Sequence, residues 1–278
     1  MRRCLFLFAL FTAAVSVAEE PLTFSTPLGA HRGGKGEWPE STTYAYEKAA
    51  ALWLDILLES DLHLSADGVP VVMHDKTLDR TTDGTGPIGA KTLAELKELD
   101  AAYKFSTDKG ASFPLRGQGV RIPTFAEALN SAPNHRFLVE FKDGITIVDA
   151  AIAVIRELKA EERVIIASFN PIFMKQLREK APEIRTCFDT QTAMQLVLAL
   201  RGPAWDAYTP VDDVLSFSPS LEKTMALKPE EMATIQKKGI ALQVHTLNTE
   251  EEMRKYLDIK VDSILTDYPS RLAALLGK

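Results

Sequence analysis

The stretch FLVEFKDGITIVDAAIAVIRELKAEERVIIASFNPIFMKQLREK, residues 137–180, holds two strand–helix units in succession. Its apolar runs at 137–142 and 164–169 are short, as strands covered on both faces are. The segments 145–159 and 171–180 carry apolar residues at helical spacing. Pro171 opens the second, where a missing N–H costs nothing. The same alternation extends outward in both directions. Further strands are expected at 28–32, 55–62, 184–188, 214–218, 241–247 and 263–267, making eight. Further helices are expected at 41–52, with Ser41 as N-cap, and at 190–200, 229–238, 249–257 and 269–276. Strand–helix alternation repeated eight times predicts an α/β fold, a TIM-type (β/α)8 barrel. A chain of 278 residues suits one such barrel.

One segment breaks the rhythm. The second strand runs on to Leu64, and Asp67-Gly68 then marks a hairpin turn. A turn centred there would set Asp61 across from His74. Residues 76–123 follow as a small insertion after the second strand. It holds a Gly/Thr-rich run at 81–89, a short helix at 92–99 and an irregular stretch at 105–121, and it is a candidate lid over the barrel rim. A helix at 122–129 leads back to the strand at 137–142.

Composition narrows the classes of function. With 32 basic against 38 acidic residues the net charge is −6, so the chain lacks the basic footprint of a nucleic-acid binder. Residues 1–18 have a positive start at Arg2 and Arg3, an apolar run, and small residues at Ser16 and Ala18. That is the pattern of a signal peptide cleaved after Ala18, ahead of a barrel spanning 19–278. An exported protein, periplasmic or secreted, is expected. No later apolar run is long enough to cross a bilayer, so no stable membrane insertion is expected. Cys4 would leave with the signal, and Cys187 is expected to be a buried, inert thiol.

Polar residues gather at the C-terminal ends of the expected strands, where barrel active sites lie. The first ends in His31-Arg32, the second in Glu59-Ser60-Asp61, the hairpin return in His74-Asp75, and the third barrel strand in Glu140-Phe141-Lys142. Residues two apart on a strand share a face, so Glu59 pairs with Asp61 and Glu140 with Lys142. Three carboxylates meeting at one mouth tolerate each other around a cation, and oxygen-only ligation suits a hard divalent ion, Mg²⁺ or Ca²⁺. No cysteine cluster or HExxH motif points to zinc. His31 and His74 are a candidate acid–base pair, and Arg32 and Lys142 candidate binders of an anionic substrate. Together these residues describe a phosphodiester-cleaving site.

At these positions the chain resembles the glycerophosphodiester phosphodiesterase family. The resemblance runs through AHRGG (30–34), PEST (39–42), ESDLHLSADGVPVVMHD (59–75), IPTFAEAL (122–129), VEFK (139–142), ASFNP (167–171) and ILTDYP (264–269). It implies a TIM-type barrel, one divalent ion, and hydrolysis of small-molecule glycerophosphodiesters to glycerol 3-phosphate and an alcohol. It also implies Glu59, Asp61 and Glu140 as metal ligands, His31 and His74 as the catalytic pair, and Arg32 and Lys142 as phosphate holders. Glu40 takes the acidic position of the PEST segment in a supporting role, orienting His31, Arg32 or a bound water.

Two positions depart from the family pattern. Ser41 replaces an asparagine, and His245, in VHTLN (244–248), stands where a tryptophan is usual, so a more polar pocket wall is expected there. His63 and His135 match no site position and are expected to be structural or solvent-facing. Two rival readings remain at this level. One is a lysophospholipase D-like enzyme, with an acyl groove lined by Leu93, Leu96, Leu99, Tyr103, Phe105 and Phe113, although apolar residues at helical spacing more often mean packing and are expected to form the insertion's own core. The other is a non-catalytic glycerophosphodiester-binding barrel.

Overall fold

A computed structural model describes residues 20–142 and 144–277. The expected signal peptide, Cys4 included, lies outside the described residues. In chain order the elements are β1 (Leu28–Ala30), α1 (Thr43–Leu52), β2 (Leu57–Leu64), β3 (Pro70–Val72), α2 (Leu93–Glu98), α3 (Phe125–Ser131), β4 (Phe137–Phe141), α4 (Thr146–Glu157), β5 (Val164–Ala167) and α5 (Pro171–Lys180). Then come β6 (Arg185–Thr186), α6 (Thr190–Leu200), β7 (Val214–Phe217), α7 (Pro219–Met225), α8 (Pro229–Gln236), β8 (Ala241–Val244), α9 (Glu250–Ile259), β9 (Ser263–Thr266) and α10 (Pro269–Leu275).

Parallel strands are joined in the order β6-β5-β4-β2-β1-β9-β8-β7, and β3 hangs antiparallel on β2. A bridge between Cys187 and Val214 brings the two end strands together. Two further bonds span this seam: the amide of Asp213 donates to the Thr186 carbonyl (2.8 Å) and that of Phe188 to the Val214 carbonyl (2.9 Å). The sheet is thus a parallel eight-stranded barrel with helices between its strands.

The strands have two apolar faces, and their period of two sorts the side chains. Leu57, Leu138, Ile165, Cys187, Val214, Ala241 and Leu265 fill the inside near the N-terminal end, capped by Leu22. Their neighbours Leu58, Phe137, Val139, Val164, Ile166, Leu215, Leu242 and Ile264 point outward into the larger core under the helices. Gly29 lies at the β1–β9 contact, where a Cβ would come within 2.7 Å of Leu265 Cδ2.

Several expectations are corrected. The hairpin register is one residue off: the pairs are Leu62–Val72, His63–Val71 and Leu64–Pro70. The turn holds three residues, because Gly68 takes φ +79° and the Ser65 amide bonds the Val69 carbonyl. Asp61 therefore offers its carbonyl to the amide of Met73, and His74 lies one residue beyond. The first strand stops at Ala30, and His31–Gly33 form a tight turn with Arg32 at φ 53°. Thr42, rather than Ser41, caps α1: its hydroxyl accepts from the Ala45 amide, while Ser41 sits at φ 58°. Helix α7 was not anticipated. It is one of the helices that start at a proline, with Ser218 as its cap.

The segment between β3 and α3 has its own core. Leu78, Ile88, Leu96, Ala101 and Ile122 pack with Val71 and Met73, and Leu93 and Leu99 lie against them. Phe113 and Tyr103 both face the Arg116 guanidinium, at 3.9 and 4.2 Å. The leucines considered above for an acyl groove are thus the segment's own packing. Among the described residues no helix is long and apolar enough to cross a membrane.

Candidate active site

The inward register that buries Leu57 and Leu138 continues upward as Glu59 and Asp61 on β2 and Glu140 on β4. Asp61 and Glu140 are direct neighbours in the parallel register. The turn after β1 adds His31 and Arg32, and Lys142 follows β4. All of these line one cavity of about 380 Å³ at the C-terminal mouth, together with His74 and His245. Glu40 stands behind Arg32 and borders a small neighbouring recess beside His74.

Lys142 Nζ lies 2.7 Å from Glu140 and 3.1 Å from Asp61. Burial disfavours its charge, but the two carboxylates prevail and raise its pKa. Glu59 takes the Arg32 backbone N–H at 2.7 Å. Burial and the nearby Asp61 charge push the Glu59 carboxyl well above the ordinary range, and burial raises Glu140 as well. Asp61 is 1% exposed, and its Oδ2 has no hydrogen bond, standing 3.7 Å from the equally unbonded Arg32 Nε.

Three buried or half-buried carboxylates thus share the mouth with the cations Arg32 and Lys142. Among the described residues no trio of carboxylate, imidazole or thiol groups is already gathered around a single point. Lys142 bridges Asp61 and Glu140 instead. The donor chemistry nonetheless suits a hard divalent ion: all donors are oxygen, one buried carboxylate oxygen is orphaned, and Glu59 is charged only at a cost.

Each candidate catalytic histidine has its own carboxylate. His31 Nδ1 is 2.6 Å from Asp267 Oδ1, and its Nε2 faces Glu59 at 3.9 Å. Burial lowers the His31 pKa, against the opposing pull of Asp267. His74 Nδ1 is 2.8 Å from Asp75 Oδ1. Arg80 then clamps Asp75 (2.6 and 3.1 Å) and Glu40 (2.6 and 2.8 Å), and Glu40 also accepts from Arg32 (3.0 Å). This chain ties the His31–Arg32 turn to His74. Arg80 holds Asp75 well below the carboxylate range. Glu40 is likewise lowered, its burial outweighed by the two arginines.

Asp267, Asp75 and Arg80 were not singled out in sequence. The first two left a trace, in Asp267 just after the last strand and Asp75 beside His74. Arg80 left none, since its partner Glu40 is forty residues away. His245 lines the cavity as expected, with Nδ1 3.1 Å from Ser216 Oγ. Burial, with lesser contributions from the neighbouring Lys142 charge and the His31 ring, pushes its pKa down to about 4. His63 and His135 are both buried and structural: their Nε2 atoms bond the carbonyls of His74 (3.2 Å) and Trp53 (3.1 Å).

Comparison with known proteins points to one family. A glycerophosphodiester phosphodiesterase of Caldanaerobacter subterraneus subsp. tengcongensis is 34% identical over 257 residues, covering 90% of this chain and 97% of that protein. One from Bacillus subtilis is 30% identical, covering 86% and 83%. Among solved structures, a glycerophosphodiester phosphodiesterase from Agrobacterium tumefaciens superposes with a TM-score of 0.72 at 27% identity, over 90% of this chain and 99% of that one. An Oleispira antarctica phosphodiesterase in complex with the product sn-glycerol-3-phosphate superposes with a TM-score of 0.73 at 25% identity, over 91% and 97%. The family model matches residues 31–271, from the first histidine of the mouth to the last helix. With the barrel fold, the family model over most of its length and these relatives, the chain belongs to the glycerophosphoryl diester phosphodiesterase family.

Proposed function

We propose that the chain hydrolyses glycerophosphodiesters to glycerol 3-phosphate and an alcohol by acid–base catalysis between His31 and His74. The observation that carries this is the pairing of each imidazole with its own carboxylate in one mouth also lined by Arg32 and Lys142. With Nδ1 held by Asp267 or Asp75, each ring is left to work through Nε2. Burial keeps His31 neutral to lower pH than an ordinary histidine, which suits a base.

His31 takes the proton of the attacking water, whose oxygen bonds to phosphorus. The P–O bond to the alcohol breaks, and His74 gives that oxygen its proton. Arg32 and Lys142 offset the charge on the non-bridging oxygens. Glu59, Asp61 and Glu140 are the residues that would hold a divalent ion, Ca²⁺ or Mg²⁺. When bound, that ion supplies Lewis acidity and orients the phosphate. Export after cleavage behind Ala18 belongs to the same reading, and N-terminal sequencing of the processed protein, starting at Glu19, tests it.

The test follows release of glycerol 3-phosphate from glycerophosphocholine, with chelator treatment and add-back of Ca²⁺ or Mg²⁺. Activity that vanishes with chelator and returns with metal is expected. His31→Ala and His74→Ala should each lower kcat about 10²–10⁴-fold while the fold persists. Near-normal turnover by His74→Ala would overturn the assignment, and indifference to chelator would remove the metal.

A further inference from the structure

The carboxylates of the mouth stand on β2 and β4. Strand β7 lies four places from β2 around the closed ring, and β8 four places from β4, so the two pairs of strands face each other across the barrel. On β7 and β8 the inward positions begin apolar, at Val214 and Ala241. Two residues further on they become Ser216 and Gln243, direct neighbours in the parallel register. His245 follows just after β8. All three line the catalytic cavity, and the mechanism above uses none of them.

The three side chains form a relay with a fixed direction. Ser216 Oγ donates to Gln243 Oε1 and stands 3.1 Å from His245 Nδ1. A hydroxyl has one proton to give. With that proton on Gln243, Ser216 can only accept from the imidazole. The His245 hydrogen therefore sits on Nδ1, and Nε2 is left as a bare acceptor. Among the described residues Nε2 has no partner. Burial keeps the ring neutral, with its pKa down at about 4. Gln243 is wholly buried and acts through Ser216. Its own Nε2 is buried without a partner, a cost that an apolar residue at this position would have avoided. Leu138, Cys187 and Leu265 line the same cavity, as do Phe169 and Phe188. A substrate hydroxyl that loses its water beside such groups needs a protein acceptor in exchange. Lys142, assigned above to the phosphate, is near enough for its charge to act on the His245 ring.

We infer that His245 is a specificity-determining residue whose Nε2 accepts a hydrogen bond from a free hydroxyl of the substrate, with Ser216 and Gln243 as positioning residues that hold its tautomer. The inference rests on the phosphodiesterase reading above. The site then favours a phosphodiester that brings a hydroxyl to this wall over one whose group there has no hydrogen to donate, such as a quaternary ammonium. The hydroxyl belongs either to the retained glycerol or to the departing alcohol, and the substrates below separate the two.

The tautomer is tested without turnover. Nitrogen-15 NMR of the imidazoles at pH 7, with His245 assigned by its absence in His245→Gln, should show a neutral ring protonated at Nδ1. Ser216→Ala should lose that preference. A wild-type ring protonated at Nε2 would overturn the inference. Recognition is tested by calorimetric titration with sn-glycerol 3-phosphate against propyl phosphate, which lacks both hydroxyls. The wild type should prefer the first by up to about tenfold, the worth of one hydrogen bond. His245→Phe, which keeps a ring, and Ser216→Ala should bring that preference close to one. A preference that survives both substitutions would overturn the inference. Two substrate pairs then locate the hydroxyl: glycerophosphoglycerol against glycerophosphopropanol, and glycerophosphocholine against propylphosphocholine. A kcat/KM preference that His245→Phe removes in the first pair puts it on the departing alcohol, and in the second pair on the retained glycerol. A purely structural role would lower both members of each pair equally, which would also overturn the inference. Failure of the wild type to hydrolyse any of the four would strike the phosphodiesterase reading and leave NMR and calorimetry to judge His245.

Discussion

His245 stands in a barrel mouth crowded with charge, yet burial holds its pKa down at about 4. An unfolded histidine titrates near 6.5. Between those values the unfolded chain binds more protons than the folded one, so stability falls as pH drops through that window. The share due to His245 reaches roughly 3 kcal/mol at pH 4. Urea denaturation at pH 7 and at pH 4 should show that loss in the wild type and a smaller one in His245→Gln. An equal loss in both would place the acid sensitivity elsewhere.

Arg80 acts at the same scale but through other residues. It touches neither imidazole and fixes Asp75, which fixes His74. Arg80→Ala is expected to lower kcat roughly tenfold, the worth of one charged hydrogen bond. Its loss also lets the Asp75 carboxyl climb toward ordinary values, so the pH profile of kcat should shift, with partial rescue by Arg80→Lys. A purely structural role would change stability and leave the pH profile in place.

Among the elements, β1 carries the most function for its length. It is three residues long, and the turn that follows presents His31 and Arg32. Its seat against β9 depends on Gly29, where an added Cβ would lie 2.7 Å from Leu265 Cδ2 and 2.9 Å from the Ile264 carbonyl oxygen. The leucine can turn aside, but the backbone oxygen cannot. Gly29→Ala should therefore cost about 1–3 kcal/mol in urea denaturation and lower turnover, because the His31–Arg32 turn moves with the strand. Unchanged values for both would mean that β9 yields at this contact.

Helix α6 shows an element whose pattern was visible while the cavity it borders was not. Its apolar residues run along two faces, and periodicity alone reads both as packing. The short α7, announced only by Ser218-Pro219, supplies the second wall that turns the outer face of α6 into a groove. The insertion shows the reverse. Helical spacing favoured packing over a groove for its apolar residues, and Leu93, Leu96 and Leu99 do pack in the insertion's own core with Val71 and Met73 of the hairpin.

At the scale of the whole molecule, the barrel closes where β6 meets β7, and Cys187 makes that bridge. Its thiol is 1% exposed, and burial pushes its pKa well up, so it is protonated and unreactive in the closed barrel. Labelling with a thiol reagent, read at Cys187 by mass spectrometry, should be negligible in buffer and follow the global urea transition. Modification well before that transition would show that the seam opens on its own.

Strand–helix alternation and the period of two were written in the chain. They were enough to infer a parallel barrel and to place Glu59, Asp61, Glu140 and Lys142 on inward positions, because side-chain direction along a strand is a local property. The same holds for His31 and His74 as groups near strand ends. The hairpin register was not decided by Asp67-Gly68 alone. It turned on Gly68 adopting a left-handed conformation and on Ser65 closing a three-residue turn.

Partners distant in the chain needed the closed barrel. Asp267 reaches His31 only because β9 lies beside β1, and Arg80 meets Glu40 only once the chain after β3 folds back against the segment after β1. Local sequence sets what each residue can do and which way it points. Which charges come to stand together depends on loop closure and packing over the whole chain, and only the tertiary structure decided that.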